Sequence, residues 1–283
     1  MQVWPNFFIV GAPRAGTTSL HEYLKNCQGV FMSPIKETYF FSPNVNMELI
    51  LSKPVKNQKD YLKLFHGVKN EQAIGESTPS YLWDPYSATL IHDKIPDARI
   101  IIILRNPIDR AFSHYLWLVS LGKENLSFSD AIKKSLSAKP DFSGRIIEAG
   151  MYSNQIKKYL DIFDKEQIKI LIFEEFSNDP KKTVEDILNF LNVNSDPPDE
   201  FKAFNTYVEP RGKFAKGVLQ NKFLQKIGTN LPRTLASQAT KILDKDATKP
   251  KIRDSDLHLL KEIYSDDVQN LEKILNRKLP WNF

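Results

Sequence analysis

The sequence predicts an α/β protein built as a three-layer sandwich, with a mostly parallel central sheet flanked by helices. Three observations carry this. Short, predominantly apolar runs at Phe7–Val10, Arg99–Leu104 and Ile168–Phe173 have the length and side-chain make-up of strands buried on both faces, as a parallel sheet requires. Segments with apolar residues at helical spacing lie between those runs, so strand and helix alternate along the chain. The first run ends at a small, polar, glycine-bounded loop that opens into a helix, the order strand, phosphate-type loop, helix.

Taken in order, the strand Phe7–Val10 leads into Gly11–Thr18, and Ser19–Lys25 follows as a helix with Leu20, Tyr23 and Leu24 on one face. Val30 and Phe31 form a second short strand. Asp60–Phe65 reads as helix, Ala73–Glu76 as a strand entering the Ser77-Thr78-Pro79 turn, and Ala88–Lys94 as a short helix stopped by Pro96. Arg99–Leu104 breaks at Arg105-Asn106-Pro107, and a helix over Ile108–Val119 follows. Helices are predicted over Ser127–Ser137 and Asn154–Phe163, then the strand Ile168–Phe173, then the helix Pro180–Leu191 with proline in its first turn. Asn194–Lys222 is polar and rich in proline, which reads as loop, and Ser255–Leu275 closes the chain with one helix or two. No internal repeat and no splitting linker occur, and 283 residues with 41% apolar content suffice for one sizeable core, so residues 1–283 are read as a single domain.

Composition narrows the function. Lys and Arg total 39 against 34 Asp and Glu, a net charge of +5 that suits a partner carrying phosphate or sulfate. No block of consecutive basic residues marks a nucleic-acid arm, so no nucleic-acid partner is expected. The single cysteine, Cys27, excludes an intrachain disulfide framework and a multi-cysteine metal site. The five histidines are scattered without metal-ligand spacing, so no metal is expected. The start, MQVWPNFFIVGAPRAG, lacks the basic region of a signal peptide, and no apolar run approaches the roughly 20 residues that span a bilayer. The expectation is a soluble, cytoplasmic protein with no membrane span; nothing in the sequence sets an oligomeric state.

Three constellations carry chemistry. Gly11-Ala12-Pro13-Arg14-Ala15-Gly16-Thr17-Thr18 matches G-x-x-x-x-G but holds Thr17 where a nucleoside-triphosphate loop has lysine. The result is a P-loop-like turn whose backbone N–H groups and helix dipole face an anion, with Thr17, Thr18 and Ser19 adding hydroxyls. In LRNPIDRAFSHY, Arg105 leaves the carboxyl end of the best strand, the edge at which open parallel sheets bind ligands. Ser113 lies eight residues on, about 12 Å of helical rise, and reaches the same anion if the Asn106-Pro107 turn folds the strand end over the helix. His114 is adjacent, but neighbours on a helix point about 100° apart, which turns it away from such an anion. In Lys36-Glu37-Thr38-Tyr39-Phe40-Phe41, the two phenylalanines belong to the core, and Glu37 beside them is a candidate general base. Glu76-Ser77-Thr78-Pro79 is a further acidic corner that either positions groups or caps a turn.

In combination and in this order, GAPRAGTTSL, KETYFF, GESTPSY and LRNPIDRAFSHY resemble the PAPS-dependent sulfotransferase family, PAPS being 3′-phosphoadenosine 5′-phosphosulfate. The resemblance is to the branch holding the heparan-sulfate sulfotransferases and their bacterial relatives, and it runs from Phe7 to Leu279-Pro280-Trp281. It implies transfer of a sulfuryl group from PAPS to a hydroxyl or amine, in line, with release of PAP. Arg14, Ala15, Gly16, Thr17, Thr18 and Ser19 would hold the 5′-phosphosulfate, Arg105 and Ser113 the 3′-phosphate, and Arg211, Gly212 and Lys213 would close over the 3′-phosphate and adenine. Tyr152 falls where the family has an aromatic near the nucleotide, and Glu37 where relatives carry the base. The family's usual loop lysine is Arg14 here, which stabilises charge without readily giving up a proton, and Lys36 supplies extra charge. Ser77 stands where some relatives have a substrate-side lysine, which argues against a polyanionic acceptor; carbohydrate, lipid and small metabolite all fit. A P-loop nucleotide kinase and a non-catalytic nucleotide-binding protein are the competing readings.

Overall fold

The structure is a computed structural model and describes residues 2–44, 53–137, 146–202, 209–210, 243–244 and 250–283. Five strands form one parallel sheet: β1 Phe7–Gly11, β2 Val30–Met32, β3 Ala73–Ser77, β4 Arg99–Leu104 and β5 Ile168–Ile172, in the order β2-β3-β1-β4-β5. Phe7 pairs with Gly75 on one side and Arg99 on the other, and Leu104 pairs with Ile172. Every residue of β1 is buried, as are Ile100 to Leu104 of β4. Each of the four consecutive isoleucines contributes about 1.5–3 kcal/mol of burial free energy, which makes β4 an anchor of the core.

Helices cover the sheet. Among the described residues they are α1 Thr17–Lys25, α2 Gln58–Lys63, α3 Ser87–Lys94, α4 Pro107–Ser120, α5 Phe128–Ser137, α6 Tyr152–Leu160, α7 Phe173–Asn178, α8 Pro180–Phe190 and α9 Asp254–Leu275. Local chemistry sets their starts. Asn106 caps α4 by accepting from the Ile108 N–H at 3.0 Å, with Pro107 in the first turn, and Asp179 caps α8 through the Lys182 N–H. α9 is one continuous helix of 22 residues packed on α6 and α4, and it ends at Asn276 in the left-handed conformation.

The sequence run Ile168–Phe173 is split: the strand stops at Ile172 and Phe173 begins α7, a helix the sequence did not predict. An apolar residue satisfies a buried strand and a buried helix start equally well, so the continuity of KILIF hid the change. Glu209–Pro210 and Leu243–Asp244 pair antiparallel. The predicted loop residues Arg211, Gly212 and Lys213 lie outside the described residues.

The chain leaves β1 for β2 and β3 on one flank, then crosses to β4 and β5 on the other. The order reverses between β1 and β4, and the loop at Gly11–Gly16 and the LRNP turn both emerge at the carboxyl ends of these two strands, the edge at which open parallel sheets bind ligands.

Candidate active site

Arg14 sits at the tip of the first loop with φ 67°, and Gly16 follows at φ 90° as the residue before α1. Glycine is needed at 16. A Cβ there would lie 2.9 Å from the Phe173 ring and 3.2 Å from Phe176. Having no side chain, Gly16 folds nothing back over the helix start. The first intrahelical bond runs from Leu20 N–H to the Gly16 carbonyl, so the N–H groups of Thr17, Thr18 and Ser19 precede it and point toward the loop. Ala15 and Thr17 are buried beneath the turn.

Three side chains from distant segments converge here. Arg14 Nε donates to Ser113 Oγ at 3.3 Å, across 99 residues of sequence. Arg105 Nη1 donates to the Arg14 carbonyl at 3.0 Å, and its guanidinium lies 4.6 Å from the Phe173 ring centroid. Arg14 lies 5.8 Å from the ring centroid of Trp117. The adjacency of β1 and β4, followed by the turn at Asn106-Pro107, brings Arg105 and Ser113 each against Arg14.

The LRNP turn is braced from behind. Tyr152 OH donates to the Arg105 carbonyl at 2.9 Å. Glu174 accepts from the Asn106 N–H on one carboxylate oxygen and from Trp281 Nε1 on the other, both at 3.0 Å. Asp267 of α9 fixes the start of α6 by accepting from the Tyr152 N–H at 2.7 Å and the Ser153 N–H at 3.1 Å. Tyr152 therefore supports the backbone of Arg105.

The electrostatics call for an anion. Burial, and next the neighbouring Arg105 charge, pull the Arg14 guanidinium down to about 10, with Glu37 opposing the shift and Arg110 adding to it. Arg105 is lowered as well, chiefly by burial, and its Nε is buried with no hydrogen-bond partner. Two part-buried cations in contact through a carbonyl, with a donor unspent, fit phosphate groups arriving between them. Ser113 accepts from Arg14, which leaves its own hydroxyl proton to be donated elsewhere.

Glu37 stands close enough for its charge to act on Arg14. Lys36 Nζ lies 3.1 Å from one Glu37 carboxylate oxygen, and Tyr39 OH donates to the other. Glu37 has φ 67° and Tyr39 φ 55°, left-handed conformations that cost non-glycine residues roughly 1–3 kcal/mol each. The Glu37 side chain keeps 34% of its surface exposed, so an incoming acceptor can reach it. Burial, then the Glu37 charge, raises the Tyr39 hydroxyl far above its usual range, which keeps it a donor. Tyr39 escaped sequence reasoning because nothing in KETYFF marks an i+2 contact between a tyrosine and a carboxylate.

His114 is buried, with Nδ1 3.3 Å from Arg110 Nη1, and burial followed by the charges of Arg110 and Arg14 drives its pKa far down. It is a poor proton acceptor. Arg110, also missed in the sequence, is fully buried on α4 and donates to the Ile146 carbonyl, tying α4 to the segment before α6. Among the described residues, no group of histidine, cysteine and acidic side chains is arranged to hold a metal ion, and no helix is long and apolar enough to cross a membrane.

A glycine loop at the central strand of a parallel sheet, with arginine and serine from the next strand and helix turned onto it, defines a nucleotide-type anion-binding protein of P-loop-like fold. Residues 5–209 match the sulfotransferase domain family, and the chain belongs to it. It is 26% identical over 245 residues to carbohydrate sulfotransferase 15 of Homo sapiens, covering 67% of this chain and 44% of that protein, so the chain spans less than half the length of this relative. Its fold matches a crystal structure of a sulfotransferase from Alicyclobacillus acidocaldarius at a TM-score of 0.73, with 31% identity and 98% of both chains covered. It also matches a mouse sulfotransferase complexed with PAP at a TM-score of 0.52, with 13% identity over 96% of this chain and 88% of that one, a likeness of fold.

Proposed function

We propose that residues 1–283 act as one sulfotransferase domain that moves a sulfuryl group from PAPS to an acceptor hydroxyl or amine by in-line displacement. The observation that carries the reading is the meeting of Arg14, Arg105 and Ser113 at the carboxyl edge of the sheet, with the Glu37 carboxylate near Arg14. When bound, PAPS supplies a sulfuryl group on a 5′-phosphate whose bridging oxygen takes up negative charge as the group departs. Arg14 and the N–H groups at the start of α1 stabilise that charge; one preorganised donor of this kind is worth about 3–4 kcal/mol in the barrier. Arg105 and the Ser113 hydroxyl hold the 3′-phosphate, and the Tyr152 brace keeps Arg105 in place. Glu37 takes the proton from the acceptor and passes it to solvent, while Lys36 and Tyr39 hold its carboxylate in position. The transferred group is formally neutral SO3, which supports a mechanism without a divalent metal.

The name of the human relative supports carbohydrate as the acceptor class to test first. Location in the cytoplasm is part of the same proposal and is testable by cell fractionation. The test of function is PAP release from PAPS, without added metal, with a neutral oligosaccharide, a glucosamine oligosaccharide and 4-nitrophenol as acceptors. At least one supports turnover, and Glu37→Gln lowers kcat by roughly 10²- to 10⁴-fold while PAP still binds. Nucleotide binding with no turnover on any acceptor, or a Glu37→Gln variant at full rate, would contradict the proposal.

A further inference from the structure

The acidic corner after β3 does more than cap a turn. Glu76 is fully buried beside β1, and none of the ion pairs among the described residues includes it. A carboxylate so placed is costly unless its oxygens are filled by donors. Thr78 Oγ1 donates to Oε1 at 2.5 Å, and Tyr61 OH and Tyr81 OH donate to Oε2 at 2.6 and 3.4 Å. Thr78 makes no cap for the short helix that follows it; its hydroxyl is turned to Glu76 instead.

Two of these hydroxyls and the ring of the third also reach the segment that carries Glu37. Thr78 Oγ1 accepts from the Thr38 N–H at 3.1 Å. Tyr81 OH accepts from the Phe41 N–H at 3.1 Å and lies 3.2 Å from Thr38 Oγ1, which in turn accepts from the Phe40 N–H. Tyr61 stacks on Phe40 with centroids 4.0 Å apart. The Glu37 N–H itself donates to the carbonyl of Ser77, the neighbour of Glu76. Two paths run with one donor direction: from the Thr38 N–H through the Thr78 hydroxyl to the carboxylate, and from the Phe41 N–H through the Tyr81 hydroxyl to the carboxylate. The scaffold surrounds Glu37 and Tyr39, the two residues of the segment held in left-handed conformations.

We infer that Glu76 is a positioning residue for the transfer step: through Thr78 and Tyr81 it fixes the backbone of residues 37–41 and so sets where the Glu37 carboxylate stands relative to Arg14. The inference rests on the reading of Glu37 as the base. The carboxylate matters as a pure acceptor. In Glu76→Gln the amide NH2 replaces one acceptor oxygen, so at least one hydroxyl that now donates to position 76 loses its acceptor there and must turn its proton elsewhere, while size is conserved. A shift of the base by about 1 Å lowers a rate by up to roughly 100-fold.

The test compares Glu76→Gln, Thr78→Val and Thr78→Ser with the parent protein, using PAPS and the three acceptors above. Rates are expressed per PAP-binding site counted by calorimetry. Glu76→Gln and Thr78→Val bind PAP within about twofold of the parent, yet lose at least tenfold in kcat; Thr78→Ser, which keeps the hydroxyl, recovers most of the rate. Full kcat per site in Glu76→Gln and Thr78→Val overturns the inference, and so does loss of PAP binding in both, since Glu76 would then serve folding in general. Glu37→Gln separates the two claims. If it is inactive beside full-rate Glu76→Gln and Thr78→Val, the positioning role alone fails; if it retains activity, the base reading fails and this inference with it.

Discussion

Replacing Arg105 by methionine removes a guanidinium while keeping an apolar stem against Phe173. In the free protein the change deletes the 3.0 Å bond to the Arg14 carbonyl, worth about 1.5–3 kcal/mol for a charged donor. It also removes a buried cation whose charge depresses the neighbouring Arg14, and that relief offsets much of the loss. Stability should therefore move by no more than roughly 1–2 kcal/mol in urea unfolding. Nucleotide binding behaves differently. A 3′-phosphate against the unpartnered Nε of Arg105 would be left buried and unpaired, at a cost of about 2–5 kcal/mol, or roughly 30-fold to several-thousand-fold in Kd. 5′-AMP lacks that phosphate and should change by less than about threefold. Calorimetric titration of the parent and Arg105→Met with both nucleotides checks this. Equal losses for PAP and 5′-AMP, or no loss for PAP, would refute the assignment of Arg105 to the 3′-phosphate.

Other expected outcomes concern the frame of the site. Gly16→Ala adds a methyl 2.9 Å from Phe173 at φ 90°, so overpacking and left-handed strain together should cost about 2–5 kcal/mol in denaturant unfolding. Glu174→Ala leaves the Asn106 N–H and Trp281 Nε1 without an acceptor; a loss of roughly 1–3 kcal/mol in stability and a several-fold weaker PAP affinity should follow, because the Asn106 turn carries Arg105. His21 is held down to about 3, first by burial and then by Lys36 and Lys25. The unfolded chain, with its histidine near 6.5, binds the extra proton between those values, so this contribution is fully present above about pH 6.5 and is lost as the pH falls. Between pH 7 and pH 5, His21 should account for about 2 kcal/mol of lost stability, and His21→Gln should flatten urea midpoints by that amount; an unchanged pH dependence would remove His21 as a source.

The fold was legible because β1 and residues 100–104 of β4 are continuous apolar runs, and only a sheet covered on both faces accepts them. The strand β5, which the sequence predicts as buried like these, is an edge strand carrying Lys169 and is only half-buried over residues 168–170. The first loop was legible from its glycines, and Arg105 from its place at a strand end. Contacts that depend on tertiary folding left no local mark. Arg14 and Ser113 meet across 99 residues through strand adjacency, and no periodicity reports that. Glu76 reads as an acidic turn because its three hydroxyl partners are spread over residues 61, 78 and 81. Phe173 was misread as the end of a strand, although its ring underlies Arg105 and would meet any side chain at 16. Arg110 had no sequence signal: on an exposed helix face it would be an ordinary surface arginine, and it is the covering by α9 and by the segment at residues 146–150 that makes it a buried one.

The central claim is recognition of a 3′-phosphorylated adenine nucleotide, and its most direct test is titration of the unaltered protein with PAP and with 5′-AMP in the absence of magnesium. The account predicts that PAP binds at least roughly 100-fold more tightly than 5′-AMP, the worth of a phosphate paired to a buried arginine. Equal affinities, or no binding of PAP, would contradict it.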